Sequence, residues 1–219
     1  MPRPTTPLIS RKAAAEHALA IIDDEGLDAL SIRRLAERMN INGASLYHHF
    51  ENKNAIMVAA AELALSDVRT PEDDAEEWRD WLSSNARRAR NGLLRHPNLI
   101  PILTRREALG IGFKQLGATA KRIADEGVPD EVIQPLIDTL ESLSLANALH
   151  IVNRRSDPAV PLATELSDDQ FDAVCHAIID VLTAQPPAGT RRSEKAPWRR
   201  RVISRVGDAA ARWIAGTSS

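Results

Sequence analysis

The sequence predicts an all-α fold. Apolar residues recur at three- and four-residue spacings from residue 10 to residue 184, and no segment reads as a strand. Hydroxyl or amide residues stand ahead of several of these segments, with Gly or Pro behind them, as helix starts and stops. Aromatic residues make up only 4% of the chain, and Pro and Gly are scattered, which argues against a β sandwich. At 219 residues and 43% hydrophobic content, the chain can hold one medium domain or two small ones around a core. The single cysteine, Cys175, excludes a disulfide framework within the chain and suits a reducing compartment. Residues 1–9 lack an apolar core of signal-peptide length, and no later stretch reaches the roughly 18 apolar residues of a membrane span. A cytoplasmic protein with no membrane partner is expected.

In chain order, a Pro-rich arm carrying Arg3 precedes a helix over residues 10–25, with Ala14, Ala18, Ile21 and Ile22 as its buried stripe and Gly26 as a left-handed cap. Arg11 and Lys12 open this helix and Asp23, Asp24 and Glu25 close it, both against the preference of the helix dipole. Ser31 then N-caps a three-turn helix whose buried face is Ile32, Leu35, Ala36 and Met39. Asn40-Ile41-Asn42 breaks it, since Asn favours caps and tolerates the left-handed conformation. A second short helix is expected over residues 43–50, with small residues Gly43, Ala44 and Ser45 at its start. Its Leu46 and Phe50 face inward, and Tyr47, His48 and His49 outward. Helix, tight turn and helix with a small start is the helix-turn-helix arrangement, whose second helix enters the DNA major groove.

Asn52 N-caps a long helix expected to run to about residue 68, with Ile56, Ala59, Ala60, Leu63 and Leu65 apolar, linking two domains across a boundary at residues 69–74. Further helices are expected over residues 74–95, closed by His96-Pro97, then 98–104, 109–126, closed by Gly127, 129–153, 167–184 and 197–215. Ser167 and Gln170 form a capping box. Residues 154–166 and 185–196 lack helical periodicity and read as loops. Gly110, Gly112 and Gly117 weaken the helix they enter.

Three stretches carry a resemblance. Ser31-Ile32-Arg33-Arg34-Leu35-Ala36, then Ala44-Ser45-Leu46-Tyr47, then Phe50-Glu51-Asn52-Lys53 resemble the DNA-binding domain of the TetR family of transcriptional regulators, over roughly residues 9–65. Asn40 stands where the family usually has Gly, and Asn can supply the same geometry. The resemblance implies an N-terminal arm (residues 1–9), then a three-helix helix-turn-helix DNA-binding domain (10–55). A long helix joins that domain to a helical-bundle ligand-binding and dimerisation domain (56–219). It implies a homodimer bound to double-stranded operator DNA and a small-molecule effector in the second domain.

On the DNA side, the expected contacts are Arg33, Asn42, Gly43, Ala44, Ser45, Tyr47, His48, His49 and Lys53. A tyrosine on the exposed side of the second helix suits a phosphate, the alternative being a half-buried helix residue. Lys53 adds its charge to the positive start of the next helix, and Arg33 sits in a first turn where an outside anion would explain a cation. Arg34 reads equally well as solvated surface. His48 and His49, being adjacent, point about 100° apart and cannot chelate one metal together, and His49 alternatively packs on a neighbouring helix. Cys175-His176 shares that geometry, and Cys175 reads as core. No phosphate loop, paired-carboxylate motif or HExxH motif appears, so no enzyme, metal or cofactor is expected. The net charge is −2, and residues 1–60 hold as many acidic as basic residues. DNA binding must therefore rest on segregated charge, with the acids of the first helix facing away.

In the second domain, Trp78 and Trp81 read either as core packing or as the wall of a cavity for an apolar or planar ligand. The expected pocket adds Phe113, Leu116, Leu140 and Leu143, with Asn147 and His150 as its polar groups. The alternative for the last two is hydrogen bonding to neighbouring backbone. Dimerisation is assigned by resemblance to the helices starting at residues 129 and 167, the latter through Phe171, Val174, Ile178 and Leu182. The final segment, with Trp198 and Trp213 on one side and Arg199, Arg200, Arg201 and Arg205 nearby, either covers the pocket, extends the interface or docks on the partner. The expected function is a ligand-released repressor of a pseudo-palindromic operator. Its rivals are an activator or ligand-independent regulator of the same fold, and a helical interaction adaptor.

Overall fold

The computed structural model describes residues 10–68, 76–103, 113–156 and 165–184, the side chains of 113–116 excepted. Among the described residues the secondary structure is helical: α1 (Arg11–Glu25), α2 (Ile32–Met39), α3 (Gly43–Leu46), α4 (Lys53–Ala64), α5 (Trp78–Arg95), α6 (Ile100–Leu103), α7 (Phe113–Asp125), α8 (Asp130–Ser156) and α9 (Asp168–Thr183). Single 3-10 turns at Leu27–Ala29 and Pro97–Leu99 join α1 to α2 and α5 to α6. No helix among them is long and apolar enough to cross a membrane.

The caps follow local chemistry. Ser10, Ser31 and Asn52 each accept a backbone N–H from the residue three places on, and Ser167 and Gln170 exchange the two bonds of the capping box. Gly26 has φ 85° and ψ 166°, so it closes α1 with positive φ but outside the left-handed helical region expected of it.

Several boundaries moved. The helix expected over 43–50 is α-helical only to Leu46 and finishes as a turn, in which Leu46 O accepts from both His49 N and Phe50 N. The helix after Asn52 ends at Ala64, with turns to residue 68, because Leu65 N and Ser66 N tighten the last turn onto Ala61 O and Leu63 O. Helix α5 starts at Trp78, where the Glu77 carboxylate accepts from Arg79 N and Asp80 N. Residues 154–156, read as loop, extend α8. The arm at residues 1–9, the boundary at 69–74, the loop at 185–196 and the helix expected over 197–215 lie outside the described residues.

Helices α1 to α4 enclose one core. Ala14, Ala18, Ile21 and Ile22 of α1 bury against Leu35 and Ala36 of α2, Leu46 and Phe50 around α3, and Ile56, Ala60 and Ala61 of α4. Alanines on the facing sides of α1 and α4 let the two backbones approach, and this core runs through Ala64. Leu99 and Ile102 close it from the far side. The second core joins Trp78, Trp81 and Leu82 of α5, Ile123 of α7, Ile133, Leu136 and Leu140 of α8, and Phe171, Cys175 and Ile179 of α9.

One glycine matters to this arrangement. A Cβ on Gly92 of α5 would lie 2.9 Å from the Ala64 carbonyl oxygen, so only glycine lets α5 cross the end of α4 this closely. Beside that crossing, His96 Nδ1 meets Asp23 Oδ2 at 2.8 Å, and Asn98 Nδ2 donates to Ile22 O at 2.9 Å. The end of α5 therefore grips the end of α1 as well as that of α4.

Candidate nucleic-acid interface

The turn between α2 and α3 is held by backbone geometry. Asn40 adopts φ 53° and ψ 48°. Its N–H donates to Glu37 O at 3.1 Å, and Ile41 N donates to Ala36 O at 3.0 Å, the two bonds of a Schellman stop. Asn42 then caps α3, its Oδ1 accepting from Ala44 N at 2.9 Å. Sequence placed Asn42 among the DNA contacts, but its carbonyl oxygen is committed to the helix start. A Cβ at Gly43 would meet Ala36 and Ile32 at an ordinary 3.9 Å, so the fold tolerates a larger residue there. The small start of α3 is thus no packing requirement.

On the outer side, Tyr47 is 60% exposed while Leu46 and Phe50 are buried. Ala44, His48 and Lys53 are exposed; Ser45 and His49 are half-buried. Lys53 opens α4 directly after its Asn52 cap. Arg33, Glu37, Asn40, Gly43, Ala44 and Tyr47 line an open groove of about 510 Å³ between α2 and α3. Where the dipole argument looked for an outside anion, Arg33 has a partner within the chain: its Nε donates to Glu37 Oε1 at 2.8 Å, one turn on. Its side chain is nonetheless 90% exposed.

Arg34, which reads equally well as solvated surface, is partly exposed and paired within the chain. Its guanidinium grips Glu25 with two bonds, of 2.9 and 2.6 Å, and Arg38 reaches Asp24 at 2.9 Å. The Arg34 hydrogen bond holds the Glu25 carboxyl below its usual pKa. The acids that end α1 against its dipole therefore serve as anchors for α2 and α5. Arg11 is the contact that sequence reading missed. It stacks on the Phe50 ring at 4.7 Å and donates to the His49 carbonyl at 2.9 Å, fixing the end of the α3 turn. The signal was present: a cation in the first turn of α1 opposes the dipole and needs a partner elsewhere.

The regulatory residues divide differently. Trp78, Trp81 and Leu140 are buried in the second core, with Leu143 packed on it. The side chains of Phe113 and Leu116 lie outside the described residues. Asn147, expected as a polar pocket group or a backbone partner, accepts at 2.7 Å from Nε of Arg90, a guanidinium only 3% exposed. Arg90 also donates to Asp168 Oδ1 and Leu166 O, and so ties α5, α8 and the start of α9. His150 is half-buried. Phe171 is fully buried beneath α9 with Cys175 and Ile179, which removes it from any interface. Burial pushes the Cys175 thiol up to about 12, leaving it protonated and inert. The outward side of α9 carries Val174, 36% exposed, and Val181, 51% exposed, with Ile178 and Leu182 half-buried between the two faces. Among the described residues no group of three or more His, Cys, Asp or Glu could hold a metal ion.

Comparison with known proteins agrees with both halves. Residues 15–60 match the family model described as bacterial regulatory proteins, tetR family, and residues 70–165 match the tetracyclin repressor-like C-terminal domain. The tetracycline repressor protein class C of Escherichia coli is 40% identical over 89 residues, 39% of this chain and 40% of that protein. The chain thus aligns with about two fifths of the length of such curated relatives. Apo ActR of Streptomyces coelicolor is 27% identical, covers 82% of this chain and 97% of its own, and superposes with a TM-score of 0.63. ActR in complex with (S)-DNPA covers 80% and 97% at 26% identity, with a TM-score of 0.60. BioQ of Mycobacterium smegmatis is 25% identical over 81% of this chain and 99% of its own, with a TM-score of 0.65.

Proposed function

Because the chain belongs to the TetR family of bacterial regulatory proteins, whose members regulate transcription and are not enzymes, we propose that it represses transcription as a homodimer. It binds a pseudo-palindromic operator through two helix-turn-helix units and leaves when a small molecule enters the regulatory half. The DNA assignment rests on one observation above the others. Tyr47 stands 60% exposed in the turn that ends α3, where the large apolar residues Leu46 and Phe50 are buried, at the mouth of the α2–α3 groove. A phenol in that position suits a phosphate oxygen. Lys53, at the positive start of α4, supplies a second phosphate contact. Arg33 supplies a third once it exchanges Glu37. Ser45 and His48 are the residues assigned to base edges.

Release follows from dimer geometry. A rigid dimer sets the spacing of two recognition helices, so a ligand that tilts α4 through the α4–α5 crossing spoils simultaneous docking. Trp78, Trp81, Leu140, Leu143 and His150 are the residues proposed to surround the effector. The tetracycline repressors and the ligand-bound ActR support a small-molecule trigger. The test uses promoter DNA from upstream of the protein's own gene. Tyr47→Phe and Lys53→Ala should weaken binding to specific and non-specific DNA alike, and Lys53→Ala should reduce the salt slope by about one. Unchanged affinity in both variants removes the assigned recognition face.

A further inference from the structure

Two hydrogen-bond donors in the second core have no acceptor among the described residues. The indole Nε1 of Trp81 and the Nη1 of Arg122 are both buried, and neither has a hydrogen-bond partner there. Trp81 is 0% exposed, so water cannot serve it from the surface. Leaving such a donor unpaired is costly, and natural interiors pair nearly all of them. The two donors are also neighbours. The Arg122 guanidinium carbon stands 4.6 Å from the centroid of the Trp81 ring. Its Nη2 is tied to the Glu76 backbone carbonyl just ahead of α5, and Ile123, the next residue, is fully buried in the same core. The guanidinium is thus fastened over the indole with one N–H edge unused. An indole N–H held unpaired at a fully buried position calls for an acceptor in another state of the molecule.

We propose that Trp81 Nε1 and Arg122 Nη1 form the polar end of the effector site. They receive an oxyanion, a carboxylate or phenolate, on a planar and mainly apolar molecule. This rests on the effector reading above and narrows it to a chemical class. Both groups donate only, so the ligand atom between them must accept. One donor is a guanidinium in a low-dielectric setting, where a charged acceptor makes a bond roughly twice as strong as a neutral one. Trp78, Leu140 and Leu143 in the same core supply the apolar surroundings for the rest of the molecule.

The experiment uses the full chain and matched probes: benzoate and 1-naphthoate against their methyl esters, read by thermal shift and by tryptophan fluorescence. The acids should bind saturably, and the esters about tenfold or more weakly, the loss expected when a charge-assisted bond is removed. Trp81→Phe and Arg122→Gln should each lose about tenfold in affinity for the acids with little change for the esters. If Arg122→Gln does not fold, Trp81→Phe carries the test alone. Equal binding of acids and esters, no saturable acid binding at millimolar concentration, or acid binding by Trp81→Phe at wild-type strength overturns the site. Operator retention in the same samples separates the two levels. Acid binding that leaves operator affinity unchanged upholds the oxyanion site and overturns its role as the release trigger. Operator release by the esters overturns the oxyanion class and leaves ligand release standing.

Discussion

Arg33 and Glu37 set the electrostatics of the groove that is assigned to DNA. Their 2.8 Å pair is exposed and lies one turn apart on α2, a geometry that adds little to stability. Glu37 nevertheless places a negative charge on the face assigned to phosphates and occupies the Arg33 cation there. Glu37→Gln should leave the melting temperature nearly unchanged and tighten DNA binding severalfold at low salt, with the gain fading as salt screens it. Equal or weaker binding by Glu37→Gln at low salt would show that Arg33 does not face the DNA. Arg11 works differently, through the cation stacked on Phe50 and the bond to the His49 carbonyl, so it holds Tyr47 and His48 in place without being required to touch DNA.

At the scale of elements, the crossing of α4 and α5 is the tightest approach at any glycine among the described residues. Gly92→Ala would drive a Cβ against the Ala64 backbone carbonyl, which cannot swing aside as a side chain could. The expected cost is about 1–3 kcal/mol, read as a lower melting temperature, and operator binding should suffer because α4 carries Lys53. A variant as stable as the wild type would mean that the two helices are free to slide apart. A second joint titrates. Burial alone would pull the His176 imidazole down, but its bonds to Asp80 and to the Asp172 carbonyl outweigh that and leave its pKa above the ordinary 6.5. A raised folded pKa means that this contact between α9 and α5 stabilises fully below about pH 6.5 and fades as the pH rises through the folded value. The gap in melting temperature between wild type and His176→Gln should therefore be larger at about pH 5.5 than at about pH 8. A gap that widens with pH would reverse the assigned charge state.

For the whole molecule, the proposed dimer turns on apolar side chains that the core leaves outside. Leu149 of α8 and Val174 and Val181 of α9 are the large exposed apolar residues besides Tyr47 among the described residues. Val181→Asp should not trouble the monomer, since the side chain is 51% exposed there. Within a two-fold interface the same carboxylate would be buried without a partner, at a cost of several kcal/mol. Sedimentation should show monomers, and operator affinity should fall with the dimer because one recognition helix cannot hold a two-site operator alone. A Val181→Asp protein that still sediments as a dimer would move the interface off this face of α9.

What the residues determined unaided was local. Caps at Ser31, Asn40 and Asn52 act within a few residues of themselves, and the capping box at Ser167 and Gln170 does the same, so helix starts and the helix-turn-helix turn were legible before any packing was known. The inward positions of Leu46 and Phe50 were legible for a similar reason, because a single stripe on a short helix leaves one choice. The fate of charges and of wide apolar faces was not. Asp23, Asp24 and Glu25 looked like misplaced acids until α2 and the corner after α5 brought His96, Arg38 and Arg34 to them. Asn147 read either as a pocket group or as a partner of neighbouring backbone, and neither reading named Arg90, which α5 delivers from 57 residues away in sequence. On α9 apolar residues cover more than one side, and periodicity cannot say which side meets the core; only the packing of α5 and α8 chose Phe171, Cys175 and Ile179 and left Val174 and Val181 outside. Bonds that span a few residues are written in the order of the chain, whereas a partner supplied by a distant helix exists only once the helices have docked.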